Sequence, residues 1–191
     1  MRVIGGEFSG IKLGVSQGVR PTTDRVRESV FSSLDARGYL VGATVVDLFA
    51  GSGALGIEAV SRGADQAIFV ENNRKAIRII MSNINKVAGD EFSDHFRVVE
   101  SSVELWLAEI VRSPGIFNKD DAGWLVFCDP PYIYDDWDVL LETIAINCPA
   151  NLVVLESDRP ISPTKSWSVV KVTDYGTTVV EILERAPQVR L

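Results

Sequence analysis

The segment Val45-Val46-Asp47-Leu48-Phe49-Ala50-Gly51-Ser52-Gly53-Ala54-Leu55-Gly56 constrains the fold of this chain more than any other. Its apolar, β-branched start predicts a strand, its glycines a tight turn, and the residues from Gly53 onward a helix. Glycines let backbone N–H groups approach a ligand closely, and the opening of the helix turns its positive end toward that ligand. After a helix stopped by Gly63, the run Gln66-Ala67-Ile68-Phe69-Val70 reads as a second strand and carries Glu71 at its end. An acid about 20 residues past such a turn typically binds a ribose diol. Read literally, Gly51, Gly53 and Gly56 satisfy the G-x-G-x-x-G dinucleotide fingerprint, which keeps a nicotinamide enzyme as an alternative. Two details count against it. Asp47, ahead of the glycines, suits a cationic or amine-bearing ligand better than a pyrophosphate, and nothing downstream looks like hydride-transfer machinery. A phosphate-binding P-loop is excluded because no Gly-Lys-Ser or Gly-Lys-Thr follows the turn.

The alternation continues along the chain. Periodicity predicts strands at 44–49, 66–70, 96–99, 124–128 and 151–156, helices at 53–62, 73–87, 102–112 and 136–146, and a closing hairpin at 167–174 and 177–184. Such alternation implies a parallel sheet with helices on both faces. Residues 2–14 alternate loosely around glycines and predict a small hairpin, 15–22 a connector, and 113–123 a polar surface loop. Thr22-Thr23-Asp24 opens a further helix whose Val26, Val30 and Leu34 share one face before Gly38. The expected division is an N-terminal hairpin and helix extension, 1–38, packed on a main domain, 39–191. With 191 residues, 46% of them hydrophobic, the chain can bury a sizeable core. No apolar run approaches the ~20 residues needed to span a bilayer, and the stretch from Met1 to Glu7 lacks a signal-peptide hydrophobic region, so a cytoplasmic protein is expected. Cys128 and Cys148 read as reduced thiols and His95 as a solvated side chain, with no zinc site among them.

A second motif concerns chemistry. Asp129-Pro130-Pro131-Tyr132 follows the apolar run Trp124-Leu125-Val126-Phe127-Cys128. An exocyclic amine on guanine or adenine is a poor nucleophile, because its lone pair is delocalised into the ring. A carboxylate and a backbone carbonyl that accept both N–H hydrogens would rotate that lone pair out of conjugation. Asp129 and the Pro130 carbonyl fit this role, two prolines stiffen the loop, and Tyr132 offers a ring on which a base can stack. The plainer alternative is a strand-ending turn.

Together these motifs resemble the Rossmann-like methyltransferases that use S-adenosylmethionine, in the amino-methylating group with an Asp/Asn-Pro-Pro-Tyr/Phe loop after the fourth strand. The segments Met1-Arg2-Val3-Ile4-Gly5-Gly6-Glu7-Phe8-Ser9-Gly10-Ile11-Lys12-Leu13 and Arg20-Pro21-Thr22-Thr23-Asp24-Arg25-Val26-Arg27-Glu28 narrow the match, and the chain resembles the RsmD family of ribosomal RNA guanine-N2 methyltransferases. The resemblance implies a mostly parallel seven-stranded sheet with an antiparallel final strand. It also implies methyl transfer to one guanine of 16S ribosomal RNA, with Asp129, Pro130, Pro131 and Tyr132 as the catalytic loop. Cofactor contacts are implied for Asp47, Phe49, Ala50, Gly51, Ser52, Gly53, Glu71, Asn72, Ser101 and Ser102. One departure stands out: relatives often have Gly-Asp where this chain has Ser101-Ser102, so Ser102 reads equally as a helix N-cap. Tyr134 and Trp137 are candidates to line the base pocket or to pack the loop.

Net charge opposes a nucleic-acid partner, at -7 overall with a pI near 4.8. Its distribution relieves the conflict. Residues 1–37 hold 6 basic and 4 acidic side chains, against 13 and 22 in the remainder. Charges farther apart than a Debye length of ~8 Å are largely screened, so a local face bearing Lys12, Arg20, Arg25 and Arg27 can still grip phosphate. The alternative is a solvated helix paired with itself through Asp24–Arg27 and Arg25–Glu28. The expected partner is 16S RNA, naked or in a small-subunit particle, acted on by a monomer. An adenine-N6 DNA methyltransferase of the same fold and a non-catalytic ribosome-assembly factor remain as alternatives.

Overall fold

All five side chains of β1 (Thr44–Leu48) are buried, as are all five of β4 (Trp124–Cys128), which places both strands inside a sheet covered on its two faces. The computed structural model describes residues 1–15, 23–89, 93–110, 123–131 and 133–187. Around β1 and β4 the chain forms α1 (Asp24–Asp35), α2 (Ala54–Ser61), β2 (Gln66–Glu71), α3 (Arg74–Ala88), β3 (Phe96–Glu100) and α4 (Val103–Ile110), then α5 (Trp137–Asn147), β5 (Ala150–Ser157), β6 (Trp167–Asp174) and β7 (Val179–Arg185). The strands form one seven-stranded sheet in the order β3-β2-β1-β4-β5-β7-β6. Pairings from β3 through β5 are parallel, whereas β7 runs antiparallel to both β5 and β6. The sheet is therefore mixed. The expectation of a mostly parallel sheet fails at one edge, because the short link between β6 and β7 can join only antiparallel neighbours.

Side-chain alternation divides the core in two. Val45, Phe69, Phe127 and Val154 face a cluster built with α1, α2 and α3, while Val46, Ile68, Val126 and Leu155 face one built with α4 and α5. The winding reverses between β1 and β4, so the crevice beyond their carboxyl ends is the switch point at which such sheets bind ligands. An added Cβ at Gly56 would come within 2.4 Å of the Phe69 ring; glycine is what lets α2 lie directly on β2.

Residues 1–13 form no strand. One isolated antiparallel bridge joins Arg2 and Lys12, so the expected N-terminal hairpin is reduced to a looped segment. Gly6 and Gly10 adopt positive φ and turn the chain before a ladder can grow. Val3, Phe8 and Leu13 from this segment nonetheless belong to the core shared with α1, α2 and α3. The connector from 16 to 22, most of the 113–123 loop and the last residues of the expected 102–112 helix fall outside the described residues. Among the described residues no helix is long and apolar enough to cross a membrane.

Candidate active site

At the end of β1 the backbone enters a tight turn. Phe49, Gly51 and Gly53 all have positive φ, at 61°, 55° and 74°, and Gly53 is the N-cap of α2. Left-handed φ is costly for Phe49, which has a Cβ, and such strain concentrates at ligand-binding turns. In the space that a Cβ would take at Gly51, the one neighbour within 4 Å is the Phe49 carbonyl at 3.8 Å. The face of the turn is thus open to a ligand that approaches the backbone. Glu71 closes the site from β2: its carboxylate accepts hydrogen bonds from Gly51 N at 2.9 Å, Asn72 N at 2.9 Å and Asn73 N at 2.8 Å. A carboxylate offers about four lone-pair sites, so a diol can be taken up here by displacing the Gly51 bond.

Asp47 is almost wholly buried and accepts a hydrogen bond from Gly56 N at 3.1 Å. It thereby ties the end of β1 to the first turn of α2. Burial raises its pKa to about 8, opposed by the Gly56 hydrogen bond and reinforced by the negative charge of Glu71. Ser101 joins the same end of the sheet through its N–H, which donates to the Glu71 carbonyl at 3.1 Å. Ser102 Oγ accepts from Leu105 N at 3.3 Å, the geometry of a helix cap for α4. Asn72 is exposed at the mouth of the turn.

Asp129 follows β4 directly and is partly buried, Pro130 is buried and Pro131 exposed. The Pro131 carbonyl accepts from Tyr134 N at 2.8 Å, which closes the loop on itself. Tyr134 is held edge-on by Phe49 and by Trp137, with ring centroids 5.6 Å and 5.5 Å apart. This aromatic file ties the catalytic loop to the glycine turn, so Tyr134 and Trp137 pack the loop. Burial, then the carboxylates of Glu104 and Asp136, push the Tyr134 hydroxyl up to about 12, which keeps it neutral. Cys128 is free and buried, and burial holds its thiol well above the usual range; it is no nucleophile at neutral pH. Tyr132 lies outside the described residues.

The N-terminal basic residues do not share one fate. Lys12 and Arg25 are exposed, and Arg20 lies outside the described residues. Arg27 is a correction: expected on an RNA-facing surface, its side chain is fully buried. It donates to Asp24 Oδ1 and to the Arg2 carbonyl, both at 2.7 Å, and lies 3.6 Å from Glu58. The register of α1 turns it inward beside Val26 and Val30. Two residues escaped the sequence reading. Glu58, buried on α2, accepts from Ile4 N at 2.7 Å, Gly5 N at 2.8 Å and Arg62 Nε at 2.8 Å. Asn83, buried on α3, bonds both backbone groups of Gly14 and donates to the Ser52 carbonyl at 2.9 Å. A polar residue on the apolar face of an otherwise amphipathic helix was the available signal in each case.

A family model described as conserved hypothetical protein 95 matches residues 1–184. Ribosomal RNA small subunit methyltransferase D of Escherichia coli K12 is 34% identical, over 98% of this chain and 91% of its own length. The protein of that name from Haemophilus influenzae is 30% identical, over 92% and 89%. Among solved structures, a hypothetical protein of Thermus thermophilus superposes with a TM-score of 0.77 at 27% identity, covering 96% of this chain and 99% of that one. Matches of this extent cover both the turn at Gly51 and the loop at Asp129, and the chain belongs to the conserved hypothetical protein 95 family, the RsmD family.

Proposed function

We propose that this chain transfers a methyl group from S-adenosylmethionine to the N2 amine of one guanine in 16S ribosomal RNA. As a member of its family it is an S-adenosylmethionine-dependent rRNA methyltransferase; the base, the atom and the RNA are the proposal. The reading rests on one observation above others. Asp129 stands on a proline-stiffened turn at the carboxyl end of β4, across the switch point from the open glycine turn of β1.

When bound, S-adenosylmethionine supplies an electrophilic methyl group on a sulfonium centre. The Phe49 to Gly53 backbone, Glu71, Asn72 and Asp47 are the residues that would hold it, with Ser101 and Ser102 at the edge of the site. Asp129 and the Pro130 carbonyl accept the two N2 hydrogens and free the lone pair for in-line attack. Tyr132 supplies a stacking ring for a base turned out of its helix. The N2 proton passes to solvent after transfer, so Asp129 acts by holding the amine, and catalysis comes mainly from positioning and electrostatics. Lys12, Arg20 and Arg25 bind RNA phosphates from the 1–38 extension. The protein works as a cytoplasmic monomer on 16S RNA, free or within a small-subunit particle.

The test is tritium transfer from labelled S-adenosylmethionine to 16S RNA and to DNA, followed by nucleoside analysis. Label in N2-methylguanosine is expected; label in N6-methyladenine overturns the reading. Asp129→Ala should lose on the order of 10² or more in kcat with cofactor affinity changed only a few fold. Unchanged turnover removes Asp129 from the chemistry.

A further inference from the structure

Asp129 does not stand alone at the end of the sheet. β4 and β5 pair in parallel with Cys128 opposite Leu155, and one step further along each strand come Asp129 and Glu156. In a parallel pair, side chains opposite one another project from the same face. Phe127 and Val154 face the core beneath α1, so two residues later Asp129 and Glu156 turn toward that same side. The cleft bears out the juxtaposition: Arg27, Val30, Leu55, Asp129, Glu156 and Val180 all line it. Glu156 is 9% exposed, an unusual burial for a carboxylate at a sheet end unless it has polar work to do. On the opposite wall, Arg27 Nε and Nη1 are buried without a hydrogen-bond acceptor. Two carboxylates facing buried, unmet donors call for an occupant that carries hydrogen-bond donors and an acceptor side by side.

We propose that Glu156 is the residue that reads the target base as guanine, by accepting the N1–H while Asp129 and the Pro130 carbonyl take the N2 amine. This assignment rests on the guanine-N2 reading given above. The chemistry favours it for a specific reason. Guanine presents O6, N1–H and the N2 amine in a row, one acceptor followed by donors. Adenine presents a lone pair at N1 and no amine at position 2, so a carboxylate beside N1 repels it. A site built to bond a substrate N–H discriminates strongly against an analogue without that hydrogen, because its own buried polar group is then left unpaired. Glu156 is therefore a specificity residue, and it also separates a guanine enzyme from an adenine-N6 enzyme of the same fold.

The experiment compares two 16S RNA fragments, one with guanine and one with 2-aminopurine at the target position. 2-Aminopurine keeps the 2-amino group but has a lone pair at N1. Wild-type enzyme should prefer guanine strongly in kcat/KM. Glu156→Gln, whose amide can donate to N1 as well as accept, should reduce that preference by roughly 10- to 100-fold, the range expected for one charged hydrogen bond. Cofactor affinity by calorimetry and an unchanged melting curve establish that the variant is folded, and Glu156→Asp, which keeps the charge, should retain the preference more than Gln does. If Glu156→Gln lowers activity on both RNAs by the same factor, Glu156 does not read N1 and the inference is overturned while the guanine reading stands. If wild-type enzyme labels neither RNA at N2, the guanine reading itself falls and takes this one with it.

Discussion

Asp47 shows how one buried side chain links stability to the cofactor turn. Its folded pKa is raised from the ordinary 3.8 to about 8, chiefly by burial. Between those values the folded chain keeps a proton that the unfolded chain has released. Its contribution is therefore fully present below about pH 4 and is lost as pH rises toward about 8. Asp47→Asn keeps an oxygen to accept the Gly56 N–H and removes the titration. Its melting temperature should exceed that of wild type by a margin that widens from pH 5 to pH 8. Parallel pH profiles for the two proteins would refute the assignment. The sequence could announce an acid before the glycines, yet not its protonation, which depends on how deeply α2 covers it. Ser102 is similar: the cap was legible as a Ser before a helix, whereas its neighbours across the site were not.

At the scale of elements, strands and helices were legible because their cause is local. The period-2 and period-3.6 patterns locate β4 and β6 at their observed bounds, and capping by Thr23 and Asn73, each accepting from N–H groups of the following helix, fixes where α1 and α3 begin. What escaped was contact between elements. Glu58 reads in sequence as an ordinary helical glutamate, yet it is fully buried and holds Ile4, Gly5 and Arg62, with Arg27 nearby. Nothing local distinguishes it from a solvated acid, because its partners come from the N-terminal segment and α1. Removing one member of a buried ionic group leaves its partners charged and uncompensated, at a cost of about 3–5 kcal/mol. Glu58→Ala should lose about that much in urea unfolding and should loosen residues 1–13 first, seen as faster amide exchange at Ile4 and Gly5. A loss well under 1 kcal/mol would mean that water readily replaces the clamp.

For the whole molecule, the question is how a protein with a net charge of -7 holds a polyanion. Long-range steering is unfavourable, so phosphate must be gripped by a few cations over distances shorter than the screening length. The N-terminal segment can supply them because it is fastened to the catalytic body: Glu58 clamps its start, and Asn83 joins Gly14 to Ser52 of the glycine turn. Burial then sorts the arginines of α1 by function. Arg25 is exposed and can meet phosphate, whereas Arg27 is enclosed beside Asp24 and Glu58. Arg25→Ala should weaken RNA binding and lower the salt slope of affinity by ~1, with no change in melting temperature. Arg27→Ala should do the reverse, lowering the melting temperature while leaving the slope intact, since a side chain with no solvent access releases no counterion. Affinity measured across a salt series, with a melt for each variant, separates the two. Equal slopes for Arg25→Ala and wild type would place the RNA-binding face elsewhere on the molecule, and a reduced slope for Arg27→Ala would mean that α1 moves to expose it when RNA binds.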